Sequence, residues 1–128
     1  MYRSAAQAFV ASTLTKVQFD AIEFDDGNNA RVDTTNLGKF IAPRAGNYFV
    51  TATVTDTGLA VTRLFTTLFK NGVEIKRGAD ISASALGSTV SATLKLAAND
   101  YIEVYYFVNA AGGTLAGQTL THFSGYKV

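Results

Sequence analysis

The stretch that decides the fold is Tyr101-Ile102-Glu103-Val104-Tyr105-Tyr106-Phe107-Val108. Extended backbone sends successive side chains to opposite faces, so Ile102, Val104, Tyr106 and Val108 form one side and Tyr101, Glu103, Tyr105 and Phe107 the other. The first side reads as core. The second puts three rings outside a sandwich, where burying a Phe-sized side chain is worth roughly 1.5–3 kcal/mol, so it is expected to face another subunit. The alternative is an outer layer that the chain supplies itself.

Working outward, residues 47–55 alternate in the same way: Tyr48, Val50, Ala52 and Val54 point inward, and Phe49 points outward among Asn47, Thr51 and Thr53. Phe65 and Phe69 oppose Leu64, Thr66 and Leu68, and parity alone leaves open which of those faces is core. Further extended segments are expected at 7–12, 16–25, 30–33, 38–42, 61–70, 74–77, 88–96 and 119–128, with no helical period anywhere. Between them stand turn signals. Asn71-Gly72 accepts the positive φ of a tight hairpin, Asp26-Gly27 and Asn99-Asp100 are further candidates, and Pro43 lies at a strand end, where its missing N–H does least harm. About ten short strands make this an all-β chain, a two-sheet antiparallel sandwich or jelly roll.

At 128 residues and 13.6 kDa, one domain spanning 1–128 is expected. The chain has no Cys, which excludes disulfides and thiolate chemistry, so packing alone holds the core. Eleven basic and ten acidic residues, without a basic cluster, give a nucleic-acid groove little to be made from. Only 16% of residues are charged, against about 25% in ordinary domains. Such a shortage points to self-association, because surface lost to neighbouring subunits need not be charged. The opening MYRSAAQAFVASTLTKVQF lacks the apolar core of a signal peptide. Val104 to Thr121 is uncharged but carries Asn109, Gly112, Gly113, Gly117 and Gln118, which argue against a membrane span.

Read in order, several motifs resemble the C1q globular head domain, the complement-type branch of the tumour necrosis factor jelly-roll superfamily. Phe24-Asp25 with Gly27, Val32-Asp33, Gly38-Lys39-Phe40-Ile41-Ala42-Pro43 and Gly46-Asn47-Tyr48-Phe49 are similar to its central block. Leu68-Phe69-Lys70-Asn71-Gly72 resembles its Leu-x-Lys-Asn-Gly hairpin. Ser91 to Leu96 with Asn99 to Val104 resembles the following strand, turn and strand, and Phe123-Ser124-Gly125-Tyr126 its closing strand. The resemblance covers nearly the whole chain. It implies a trimer packed around a threefold axis, with Phe49, Tyr101, Tyr105, Phe107 and Gly125 at the interface and Phe40, Tyr48, Val50, Leu68, Ile102, Val104 and Phe123 in the core. No Gly-x-y run occurs in the sequence, so a collagen-type stalk is not expected, and the family's calcium sites vary, so none is carried over.

Reactive chemistry finds little support. His122 is the only His, and Ser124 is too near along one strand to complete a triad with it. Asp25 to Asn29 offers hard oxygen ligands without the alternating Asp spacing and distal Glu of a calcium loop, and a solvated turn is the simpler reading. Residues 110–113 are Gly-rich but open no helix, so they do not read as a phosphate cradle. The expectation is a non-enzymatic trimer without cofactor that binds a glycan or protein through loops near 56–60, 78–87 and 110–117. Lacking Cys and a secretion signal, it suits a virion component such as a phage tail-fibre head or capsid decoration protein. The alternatives are a structural capping or cement protein and a bacterial surface or spore-coat protein.

Overall fold

The computed structural model covers residues 1–128 and describes all of them except 26–30, 34–37, 57–60, 83–85, 111, 114–116 and 118. Among the described residues eleven strands run in order: β1 (Ala8–Phe9), β2 (Thr15–Lys16), β3 (Arg31–Asp33), β4 (Lys39–Ile41), β5 (Gly46–Thr55), β6 (Leu64–Lys70), β7 (Val73–Arg77), β8 (Gly87–Leu96), β9 (Tyr101–Val108), β10 (Gly112–Gly113) and β11 (His122–Lys127). They form a short sheet of order β11-β5-β8 and a long sheet of order β3-β4-β9-β6-β7, to which β2 adds by pairing with β9; β1 and β10 make a small ribbon. Every pairing is antiparallel. The chain is therefore a two-sheet antiparallel jelly-roll sandwich.

The core lies between the sheets. Phe40, Tyr48, Val50, Leu68, Ile102, Val104 and Phe123 are all buried there. Phe40 sits among Tyr48 and Phe123 with ring centroids 6.0 and 5.9 Å away, and Phe19 joins Phe123 at 5.7 Å. Tyr48 keeps its phenol satisfied by donating to the Arg44 carbonyl at 2.8 Å. On β6 the open question of parity is resolved: Leu64, Thr66 and Leu68 turn inward, while Phe65 and Phe69 cross-pair with the outward side of β9.

Two hairpins are built as their residues dictate. Asn71 and Gly72 both take positive φ, 50° and 85°, between β6 and β7. Asn99 takes φ 67°, and Asp100 N–H donates to the Ala97 carbonyl at 3.2 Å between β8 and β9. Asp26-Gly27 lies outside the described residues.

The long strand expected at 16–25 ends instead at Lys16. Val17 N–H still donates to the Val104 carbonyl of β9 at 2.9 Å, but the bonds on either side go to a side chain: the Gln7 carboxamide donates to the Lys16 carbonyl at 2.8 Å and accepts from Gln18 N–H at 2.9 Å. Val17 and Phe19 are fully buried, so apolar alternation persists without continuous pairing. Tyr2 then bridges both Ala21 and His122, which extends the short sheet by one residue row.

Candidate interaction surface

Register in the short sheet sorts its outward side chains into rows. His122 stands opposite Thr53 and Thr53 opposite Thr89; Ser124, Thr51 and Ser91 form the next row, and Tyr126, Phe49 and Thr93 the third. Hydroxyls tie the first two rows together, Thr51 to Ser91 at 2.8 Å and Thr53 to Thr89 at 2.9 Å. In the third, the Phe49 and Tyr126 rings pack with centroids 5.5 Å apart, and Tyr126 remains 57% exposed. No carboxylate, Lys or Arg occurs in these three rows. The surface is small-residue, hydroxyl-lined and apolar at one end.

That surface runs to an open edge. Among the described residues β8 pairs only with β5, so the other side of its ten residues is an unpaired strand edge with no charge from Gly87 to Leu94. The β7 edge of the long sheet differs: it carries Glu74, Lys76 and Arg77 and faces a register shift at Leu68/Phe69, both of which discourage a further strand.

The outward rings of the long sheet are partly covered by the chain itself, and Tyr101, Tyr105 and Phe107 are half-buried. Phe65 stacks on Phe107 at 4.9 Å with planes 7° apart, and Phe69 meets Tyr105 at 4.1 Å. The Arg77 guanidinium lies 4.0 Å over the Phe65 ring, which is left only 3% exposed; Arg63 lies 5.3 Å from the Phe107 ring and Lys39 4.3 Å from that of Tyr101. Counter-ions hold the guanidinium groups in place. Arg77 pairs with Glu74 and Arg63 with Asp80, and both carboxyls are pulled below their usual range chiefly by those hydrogen bonds. Lys16, brought beside Tyr105 by β2, forms an ion pair with the buried Glu103. Burial, with Glu103 alongside, pushes the Tyr105 phenol up.

The five residues assigned to one interface thus fall on three surfaces. Phe49 is outward on the short sheet; Tyr101, Tyr105 and Phe107 are outward on the long sheet, on the far side of the sandwich. Gly125 has the inward parity of Phe123, and a Cβ there would meet Phe40 Cε2 at 2.8 Å and Val50 Cγ1 at 2.9 Å. Its missing side chain makes room for the core ring of Phe40. Parity along one strand could not show this, because it does not say which strands share a sheet. Tyr126 was missed; its alternation with Gly125 was legible, but its pairing with Phe49 needed the register of β11 on β5.

His122 is half-buried beside Thr53, with Ser124 one row further along. Of the loop segments, Asp56 is fully buried and its N–H donates to the Leu86 carbonyl at 2.5 Å, whereas 57–60, 83–85, 111, 114–116 and the Asp26 to Asn29 part of the acidic stretch lie outside the described residues. Leu86 and Leu120 flank the Asp56 end of β5 and are 59% and 38% exposed. Burial and the neighbouring Asp56 carboxyl push the Tyr106 phenol far above its usual range, so it stays protonated. Among the described residues no helix is long and apolar enough to cross a membrane.

This architecture is that of the tumour necrosis factor and C1q jelly rolls. The chain is similar to the crystal structure of murine APRIL, with a TM-score of 0.73 and 16% identity over 99% of this chain and 95% of that one. It is also similar to an Eiger TNF from S. frugiperda, with a TM-score of 0.61 and 17% identity over 98% and 93% of the two chains. The globular domain of zebrafish complement 1qA gives 0.58 and 16% over 96% and 94%. At these identities the shared property is the fold. No family profile and no curated protein sequence matches the chain.

Proposed function

We propose that the chain is a non-enzymatic module that assembles as a homotrimer and binds a partner with the loops at the Asp56 end of the sandwich. The outward face of the short sheet, rather than the aromatic side of β9, makes the contact between copies. The observation that carries this reading is the absence of charge across the three rows from His122 to Thr93, with Tyr126 exposed and Phe49 half-buried at one end and, beside them, a β8 edge that pairs with no further strand among the described residues. Contact cores are depleted of charge and enriched in aromatic rings. A ring of three copies uses two different patches on each, and a sheet face with an adjoining edge supplies both.

Trimers are typical of this fold, which supports the stoichiometry. The exposed Leu86 and Leu120 support a protein partner over a glycan, because leucine offers a sugar neither a flat ring nor a hydrogen bond. Display on a virion, as a tail-fibre head or capsid decoration, is the setting proposed; a bacterial cell or spore surface is the alternative. Nothing in the charge pattern calls for nucleic acid.

Sedimentation of the purified protein tests the assembly: a mass of three chains is expected, and a stable protomer at micromolar concentration overturns it. A glycan array and a binding assay on assembled capsids or tails separate the roles. Binding confined to assembled particles identifies a capping or cement protein, and glycan binding overturns the preference for a protein partner.

A further inference from the structure

We propose that Asn71 is a latent site of spontaneous deamidation, restrained by Asp100, whose conversion to a carboxylate releases the β6–β7 hairpin from the turn between β8 and β9. Asn71-Gly72 is the only Asn-Gly step in the chain. It forms an exposed two-residue turn in which Gly72 leaves its surroundings open: a Cβ at that position would meet nothing within 4 Å. A glycine on the C-terminal side gives the following amide nitrogen the least hindered approach to the Asn carboxamide.

The step uses no partner but water. The Gly72 amide gives its proton to solvent base, and its nitrogen attacks Cγ of Asn71. A C–N bond forms, the bond to Nδ2 breaks, and Nδ2 leaves as ammonia after taking up a proton. Water then opens the cyclic imide at either carbonyl, which leaves aspartate or its β-linked isomer at position 71.

What makes this turn more than an exposed Asn-Gly is where the carboxamide is held. Nδ2 donates to Asp100 Oδ1 at 2.7 Å, Oδ1 accepts from Tyr101 N–H at 3.0 Å, and the Asn71 backbone N–H donates to the Tyr101 carbonyl at 3.1 Å. The side chain has to leave both partners before Cγ can swing onto the Gly72 nitrogen. Asp100 is fixed in turn by Lys70 at 2.9 Å and by the Ala97 N–H at 2.8 Å. Conversion removes the donor facing Asp100 Oδ1 and puts an anion there, with Lys70 the one cation bonded to that carboxylate among the described residues. The same bond that slows the reaction becomes a repulsion once it has occurred.

Purified protein held at mildly alkaline pH, with position 71 followed by peptide mass spectrometry, tests the restraint. Asp100→Ala, checked for its fold by near-ultraviolet circular dichroism, is expected to convert roughly tenfold faster than the unaltered chain, the factor that losing one charge-assisted hydrogen bond implies. Equal rates in the two proteins overturn the proposal. Melting measurements need no reaction and decide the matter if Asp100→Ala does not fold. Asn71→Asp is expected to melt below the unaltered chain, and the exchanged pair Asn71→Asp with Asp100→Asn to recover most of the loss, because donor and acceptor are restored in reverse. An Asn71→Asp protein that melts with the unaltered chain, or an exchanged pair that recovers nothing, overturns it equally.

Discussion

The Tyr126 ring packs on Phe49 across β11 and β5, centroids 5.5 Å apart, and both stand on the outward side of the short sheet. Among the described residues no cation lies over either ring, unlike Phe65 under Arg77 on the opposite side of the sandwich. On the proposed reading, the uncapped pair marks the side that meets a neighbouring copy.

Phe49→Glu is therefore expected to separate the copies and leave the protomer folded, because it puts a carboxylate into an uncharged contact while all its core neighbours remain. Sedimentation should show the mass falling to one chain with the far-ultraviolet spectrum unchanged. An unaltered mass removes the short-sheet face from the assembly.

Tyr105→Glu is expected to act on the protomer instead. The new carboxylate replaces a ring that packs on Phe69 at 4.1 Å and comes beside Glu103, which already bears on the Tyr105 phenol. A lower melting temperature with unchanged mass at 25 °C is the expected result, the lost ring pair alone being worth about 1 kcal/mol. Dissociation without loss of stability would return the aromatic side of β9 to the interface.

Gly125→Ala should cost about 1–3 kcal/mol by overpacking, since the added methyl group meets Phe40 Cε2 at 2.8 Å and the Phe49 carbonyl at 2.9 Å. Denaturant titration measures it. A neutral result would mean that the Phe40 ring has room to retreat.

Acid should loosen the hairpin end of the sandwich first. Hydrogen bonds from Lys70, then Asn71 and the Ala97 amide, hold the Asp100 carboxyl down at about 2, below its ordinary 3.8. A depressed folded value means that the unfolded chain binds the proton more readily, so this stabilisation is complete above the ordinary value and disappears as pH falls through the folded one. Melting temperature is expected to drop between about pH 4 and pH 2, and to drop less in Asp100→Asn. Parallel curves for the two proteins would assign the loss to Glu74, Asp80 and Asp20, which are depressed as well.

Much of the fold was legible in the sequence. Alternation in Tyr101 to Val108 placed Ile102, Val104, Tyr106 and Val108 on one face, and all four are buried. Asn71-Gly72 announced its hairpin through the positive φ it tolerates. Less was legible where backbone partners are side chains, as at the Lys16 carbonyl and Gln18 N–H, where the Gln7 side chain takes bonds that a neighbouring strand would have offered.

The amino-acid order by itself determined that this is an all-β chain, where its tight turns fall and which side of most strands is apolar, because those properties depend on neighbours one or two residues away. Only the tertiary structure decided that Phe49 and the β9 aromatics lie on opposite faces, that Arg77 and Lys39 cap rings on one of them, that Tyr126 joins Phe49 on the other, and that Gly125 yields its space to Phe40. Each of those contacts joins residues far apart in the chain, and pairing between distant strands is set by how both sheets close over one core, which no local pattern specifies.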